Sequence, residues 1–182
     1  MGRTYARVKV DIWTNAKFRR LSPSAQHLYF TLVTDPDMSY CGIADWRPRR
    51  LSGKAGAWLV ESIELAASEL IDSRMVIICE GTEEALVRSF VRHDGVLQNA
   101  KLAVSAAHAV GAVSSTNLMG IAIHEFQRAK KEHPEWTAWK SGELDSVLKG
   151  EGIDARKIDP FGPDYAPRIG RIRPEGLGGD ES

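Results

Sequence analysis

The sequence predicts a mainly α-helical protein with one small β-hairpin. Apolar residues recur three and four positions apart along most of the chain, which is typical of helices that bury one face. Two short β-type runs are joined by a glycine-containing turn, which predicts the hairpin. The 182 residues, 43% hydrophobic and 26% charged, suit one soluble globular domain with an appendage.

The first part of the chain predicts two helices and two short extended segments. Ser22 and Pro23 are typical of the N-cap and first turn of a helix, and Asp35-Pro36 ends that helix. The other elements follow from alternating polarity and turn residues. They are an edge strand at Tyr5–Val10, a turn and short helix at Asp11–Arg20, and a connector or short strand at Gly42–Trp46.

The next part predicts two helices and the hairpin. The helices are expected at Pro48–Ala55 and Leu59–Asp72, and the β runs at Met75–Cys79 and Ala85–Phe90. Three helices followed by a hairpin is the element order of a winged helix-turn-helix, in which the third helix reads DNA and the hairpin is the wing. We therefore assign residues 1–94 to a winged helix-turn-helix domain.

The remainder predicts a helical extension and a tail. Three helices are expected within residues 95–150, at Val96–Val110, Thr116–Glu132 and Glu135–Lys149. Residues 151–182 are rich in Pro and Gly and poor in large apolar side chains, which predicts a flexible or disordered tail. Small residues would let the first extension helix approach another helix closely, in a homodimer or within one chain. They are Ala103, Ala106, Ala107, Ala109 and Ala112.

Charge is distributed unevenly along the chain. Lys plus Arg and Asp plus Glu both number 24, which excludes a uniformly basic nucleic-acid binder and a highly charged disordered chain. Residues 1–54 nevertheless carry ten basic and four acidic side chains, whereas residues 55–99 carry three basic and eight acidic ones. Such a layout favours a local anion-binding face, although ordinary surface charges can average out in the same way.

Several classes of protein are disfavoured by missing patterns. No apolar run approaches the ~18 residues of a membrane span, and the N-terminus lacks a secretory signal. Cys41 and Cys79 are expected to be free thiols, so we expect a cytoplasmic protein with no membrane partner. The HExxH zinc motif fails at Arg128 and the P-loop motif fails at Pro48. We therefore expect no enzyme, no cofactor and no metal site.

The candidate DNA-binding residues surround the predicted second and third helices. Arg47, Arg49, Arg50 and Lys54 are expected to contact phosphates, or else to pair with nearby acids. The third helix carries acids and no Lys or Arg, which disfavours ordinary major-groove reading, although one Glu can accept from a cytosine amino group. The further basic residues that could join the phosphate contacts or pair internally are Lys17, Arg19, Arg20, Arg88 and Arg92. The acids of the third helix are Glu61, Glu64, Glu69 and Asp72.

Trp58 occupies the predicted turn before the third helix. It is therefore a candidate for an exposed aromatic side chain near DNA. Core packing under the third helix is the alternative. The complete set of candidate DNA-binding residues is therefore Arg47, Arg49, Arg50, Lys54, Trp58, Glu61 and Arg88.

Several segments resemble winged-helix proteins of phages and prophages, of the replication-initiator or replisome-organiser type. The resemblance lies in VDIWTNAKFRRLSPSAQHLYFTLVTDPD, RPRRLSGKAGAW followed by IELAASELIDSRMVII, EEALVRSFVRHDGV and NLMGIAIHEFQRAKKEHPEW. It covers roughly Tyr5–Trp136 and contains no invariant catalytic signature. It implies binding of double-stranded DNA in replication initiation or transcriptional control, without enzymatic activity.

The sequence thus predicts a DNA-binding protein that acts in phage replication initiation, with double-stranded DNA and a replication-machinery protein as partners. A transcriptional regulator with the same fold is one alternative. The other is a protein-interaction module, in which the acidic third helix and the acidic wing turn at Glu80, Glu83 and Glu84 bind a basic partner.

Overall fold

The computed structural model describes residues 5–172, which form a mainly helical fold with a small antiparallel sheet. The helices are α1 (Ala16–Arg20), α2 (Pro23–Val33), α3 (Pro48–Leu51), α4 (Val60–Asp72), α5 (Phe90–His93), α6 (Ala100–Gly111), α7 (Thr116–Glu132), α8 (Glu143–Lys149) and α9 (Pro167–Arg171). The strands are β1 (Ile43–Asp45), β2 (Val76–Cys79) and β3 (Glu84–Val87). The 3-10 turns are Val10–Thr14, Ser52–Lys54, Val96–Gln98 and Thr137–Lys140.

The sheet has the order β1-β3-β2, so the segment before α3 joins the hairpin. Ile43 of β1 lies opposite Leu86 of β3, and Val76 of β2 lies opposite Val87. The chain enters β1 through Gly42, whose φ of +93° favours glycine. A Cβ at Gly42 would also lie 2.8 Å from the Cβ of Phe90, so this turn needs glycine for two reasons.

The packing of α2 against α4 forms the centre of the first half of the molecule. The Ser22 hydroxyl accepts a hydrogen bond from the Ala25 N–H and so caps α2, as the sequence predicts. Apolar side chains on the facing sides of the two helices are fully buried. They include Leu28, Leu32, Ile63 and Leu70.

The second half is a layer formed by α6, α7 and α8 that packs against α5 and the sheet. Asn99 and Ser115 cap α6 and α7 through side-chain oxygens that accept backbone N–H groups. Leu118 and Phe126 of α7 are fully buried. Within residues 5–172, no helix is both long enough and apolar enough to cross a bilayer.

Several predicted elements differ in the structure. Phe90, predicted at the end of the second β run, begins α5, and the helix predicted at Val96–Val110 is divided into a 3-10 turn and α6. Tyr5–Val10 pairs with no strand among the described residues, because it lies beside α5, where the Arg7 N–H approaches the Asp94 carboxylate at 3.5 Å. The predicted helix Glu135–Lys149 is divided into a 3-10 turn and α8 at Ser141-Gly142. Glycine disfavours helix interiors, which accounts for the break.

The prediction of a flexible tail is wrong for residues 151–172, which pack on the rest of the chain. Ala155, Tyr165 and Ile169 are buried, and α9 lies against α4. The Arg74 side chain donates to the carbonyl oxygens of Ala155 and Ile158, at 3.2 and 3.4 Å. A few deeply buried side chains and these backbone contacts hold a segment whose composition alone indicates disorder. The remainder of the predicted tail, residues 173–182, lies outside the described residues.

Candidate nucleic-acid interface

The outer face of α4 is the surface on which the sequence prediction of DNA reading depends. Leu59 precedes the helix without a side-chain cap. Glu61 and Leu65 are exposed on its outer face. Since α4 itself contains no Lys or Arg, any cation near this face must come from neighbouring elements.

Two acids of α4 hold other elements in place. Glu69 accepts hydrogen bonds from the Ser22 backbone N–H (2.7 Å) and from the Ser22 hydroxyl (2.6 Å), so it fixes the junction between α1 and α2. The Glu64 carboxylate lies 3.2 Å from the Arg168 guanidinium of α9. These carboxylates therefore have internal partners.

The acids of the turn between β2 and β3 are occupied in the same way. Glu84 accepts from the backbone N–H groups of Ser114 and Ser115, both at 2.8 Å, which ties the hairpin to the start of α7. Glu80 accepts from the backbone N–H of Arg168 at 3.1 Å. Glu83 pairs with Arg47 at 3.0 Å. The acidic wing turn predicted from the sequence is thus part of the internal hydrogen-bond network.

Three of the four cations assigned to the second helix lie in what we term the exposed ion-pair row. Arg50 lies 3.4 Å from the Asp45 carboxylate and 3.6 Å from the Asp37 carboxylate, and Lys54 donates to Asp35. The row comprises Arg47, Arg50, Lys54, Asp35, Asp37, Asp45 and Glu83. The sequence alternative of internal pairing therefore describes these three cations in the free chain.

Asp35 is the most enclosed carboxylate of the exposed ion-pair row. Burial raises the pKa of its carboxyl, but hydrogen bonds from the Lys54 ammonium and the Asp37 backbone N–H oppose this effect. The charges of Lys54 and Arg50 act in the same direction, so the pKa of Asp35 lies below its ordinary value. The carboxylate therefore stays ionised well into the acid range.

Other cations of this region lack a carboxylate partner within residues 5–172. Arg49 is exposed at the start of α3. Lys17, Arg19 and Arg20 of α1 are exposed as well and form what we term the α1 cations. Nothing in the local sequence pattern distinguishes a paired arginine from an unpaired one. The α1 cations were therefore predicted only as additional phosphate contacts.

Arg88 lies in a different environment from the one that a DNA contact needs. Its guanidinium lies 3.0 Å from the Glu125 carboxylate, which is 1% exposed, and its Nε donates to the Arg74 carbonyl oxygen. Arg92 and Arg128 lie 2.8 and 3.5 Å from the same carboxylate. These four side chains form the buried Glu125 cluster. In this structure Arg88 therefore lies between the hairpin and α7 and is paired internally, which is the alternative that the sequence left open for it.

Trp58 is half-buried and packs against the core, with its ring centroid 4.7 Å from that of His27. This position matches the packing alternative of the sequence analysis. Of the aromatic side chains near α4, it is the one that fixes the start of the helix against α2.

A cavity of about 340 Å³ lies under the N-terminal segment, away from α4. Arg7 and Lys9 line it together with Asp11 and Asp94, so its charges balance. Within residues 5–172, no group of three or more His, Cys, Asp and Glu side chains is placed to hold a metal ion.

Comparisons of the chain with protein-family models, with curated proteins and with solved structures return no significant match.

Proposed function

We propose that this protein binds double-stranded DNA without catalysing a reaction, through a winged helix-turn-helix made of α2, α3, α4 and the β2–β3 hairpin. The order of elements supports this proposal. A strand lies between the first and second helices, and it pairs with the second strand of the hairpin in the order β1-β3-β2. This pairing holds the hairpin beside α4, as a wing requires.

The observation that carries the proposal is a set of exposed cations, on elements next to α4, that have no carboxylate partner within residues 5–172. The α1 cations precede Ser22, which caps α2 and binds Glu69 in the C-terminal half of α4. Arg49 belongs to α3, which packs against α4 and precedes its start. With 13 residues, α4 is about 20 Å long. The helix is longer than the major groove is wide, at about 12 Å, so cations next to its two ends can reach the phosphates on either side of the groove.

The exposed ion-pair row adds further cations at the α3 end. Exposed ion pairs contribute roughly 0–1 kcal/mol, so exchanging a carboxylate for a phosphate costs little. Arg47 and Arg50 can therefore join Arg49 on DNA, although they must first leave their carboxylates. Lys54 is held more firmly, because its partner Asp35 is only 15% exposed.

The outer face of α4 suits weak sequence selectivity. Glu61 can accept a hydrogen bond from a cytosine amino group, but the helix offers no cation for guanine. Phosphate contacts and the shape of the duplex would then dominate affinity.

The role in phage replication initiation rests on the sequence resemblance. A transcriptional regulator would use the same interface. The alternative of an acidic protein-interaction surface loses support at two of its acids, because Glu69 and Glu84 accept hydrogen bonds from backbone N–H groups within the chain.

The test is a fluorescence-anisotropy titration of a labelled 30-bp duplex across salt concentrations. Each phosphate contact contributes about −0.9 to the slope of log affinity against log salt. Changing Arg19 and Arg20 together to Gln should weaken binding to every duplex and flatten that slope by about two units. The matched control is Lys130→Gln with Lys131→Gln, an exposed pair at the end of α7.

An intact protein that binds no duplex at low salt would contradict the proposal. So would an equal loss of affinity in the two double variants, because this result would indicate a general charge effect rather than an interface at α1.

A further inference from the structure

The flank of α4 that faces α9 carries carboxylates and no cation of its own. Glu64 lies on α4 and Glu80 follows β2, and both face Arg168. We propose that α9 completes the DNA surface, with Arg168 and Arg171 contacting the phosphate backbone along this flank. This inference rests on the proposed function and adds a second contact region, from a part of the chain that the sequence assigns to a disordered tail.

Arg168 is held in a defined position and still has donors to offer. Its Nη2 lies 3.2 Å from Glu64, its Nε lies 3.4 Å from Glu80, and its side chain is 66% exposed. A guanidinium has five N–H donors, so two carboxylate contacts leave others directed to solvent. Two acids thus orient a planar guanidinium whose remaining donors can bind the oxygens of a phosphate.

Arg171 lies three residues further along α9, on the same side of the helix as Arg168. It is exposed and has no carboxylate partner within residues 5–172. Together the two arginines balance Glu64 and Glu80, which would otherwise repel a phosphate backbone from this flank.

The segment that carries α9 is a fixed part of the fold. The Ile153 N–H donates to the Gly120 carbonyl oxygen at 2.9 Å, and a Cβ at Gly120 would lie 2.6 Å from Ile153 Cδ1. The absence of a side chain at Gly120 lets the segment lie directly on α7. A releasable inhibitory strap would have few buried contacts. The buried side chains of this segment therefore favour a permanent DNA contact over an inhibitory strap.

The full chain with Arg171→Gln, and a second variant with both Arg168→Gln and Arg171→Gln, would be titrated with the labelled 30-bp duplex. We expect several-fold weaker binding, with a salt slope flatter by about one unit for the single variant and about two for the double. Lys140→Gln, an exposed cation in the helical layer, is the matched control. Thermal melting of each variant checks folding, and Arg171→Gln tests the inference with the Glu64 and Glu80 contacts intact.

The outcomes separate this inference from the proposed function. If the unmodified protein binds no duplex, both are wrong. If it binds and the Arg19→Gln, Arg20→Gln variant weakens binding while the α9 variants bind normally, this inference alone is overturned. Tighter binding by the α9 variants also overturns it, since that result identifies α9 as an inhibitory element.

Discussion

The buried Glu125 cluster and the exposed ion-pair row contain the same chemical groups in opposite environments. Each joins arginines to carboxylates contributed by different elements. Glu125 is 1% exposed, whereas the Glu83 side chain is 58% exposed. Burial, and not residue type, therefore decides which arginines are fixed within the fold and which can meet a ligand.

The energetic contrast follows from solvation. Removing one partner of a buried ion pair leaves charge without compensation, at a cost of roughly 3–5 kcal/mol. Exposed pairs are screened by water and salt and contribute roughly 0–1 kcal/mol. The two clusters should therefore respond very differently to the loss of one carboxylate.

The largest effect is expected for Glu125→Ala. The change leaves Arg88 and Arg92 without their main partner between the hairpin and α7, and should lower the free energy of unfolding by about 3 kcal/mol or more. Urea denaturation measures the difference. Glu83→Ala in the exposed ion-pair row is the control, expected to cost less than about 1 kcal/mol. If both variants lost a similar free energy of unfolding, the proposed energetic difference between the buried Glu125 cluster and the exposed ion-pair row would be wrong.

The second-largest loss of stability is expected for truncation of a buried apolar side chain. Ile169→Ala in α9 should cost about 2–4 kcal/mol, because Ile169 is fully buried where the C-terminal segment packs. Ile172, 36% exposed, is the control for the same change. Calorimetry gives both values. A melting temperature of Ile169→Ala equal to that of the unmodified chain would show that residues 151–172 contribute no stability.

The smallest effect concerns the pH dependence of the exposed ion-pair row. The pKa of Asp35 is lower in the folded chain than the value of about 3.9 expected when unfolded. Its contribution to stability is therefore fully present above about pH 4 and is lost as the pH falls through the folded pKa. Asp35→Asn should reduce stability by under about 1 kcal/mol at pH 7 and weaken the fall of stability as the pH drops below about 4. Unfolding curves at several pH values check this, and an unchanged acid dependence would assign that fall to other carboxylates.

The parts of the fold that sequence patterns predict best are those with local signals. Ser22-Pro23 marks the start of α2, and the bounds of α7 match the predicted Thr116–Glu132. The hairpin lies close to its predicted place. The α3 prediction is longer than the helix, which ends at Leu51 and continues as a 3-10 turn.

The candidate site was predictable only in part. Position along the chain placed Arg47, Arg49, Arg50 and Lys54 in one group, but it gave no information on the partners of each one. The helix α9 itself was not predicted, although Pro167 at a helix start, with Ile169 and Ile172 three residues apart, is a weak signal for a short amphipathic helix.

The sequence by itself determined the longer helices, the hairpin and the location of the basic first third, because caps, turns and hydrophobic periodicity act over a few residues. Only the tertiary structure decided which charges are paired. Arg88 and Glu125 are 37 positions apart, and Arg168 reaches Glu80 from 88 positions away. Such pairs form when the core brings distant elements together, and the same packing buries a C-terminal segment whose own composition predicts disorder.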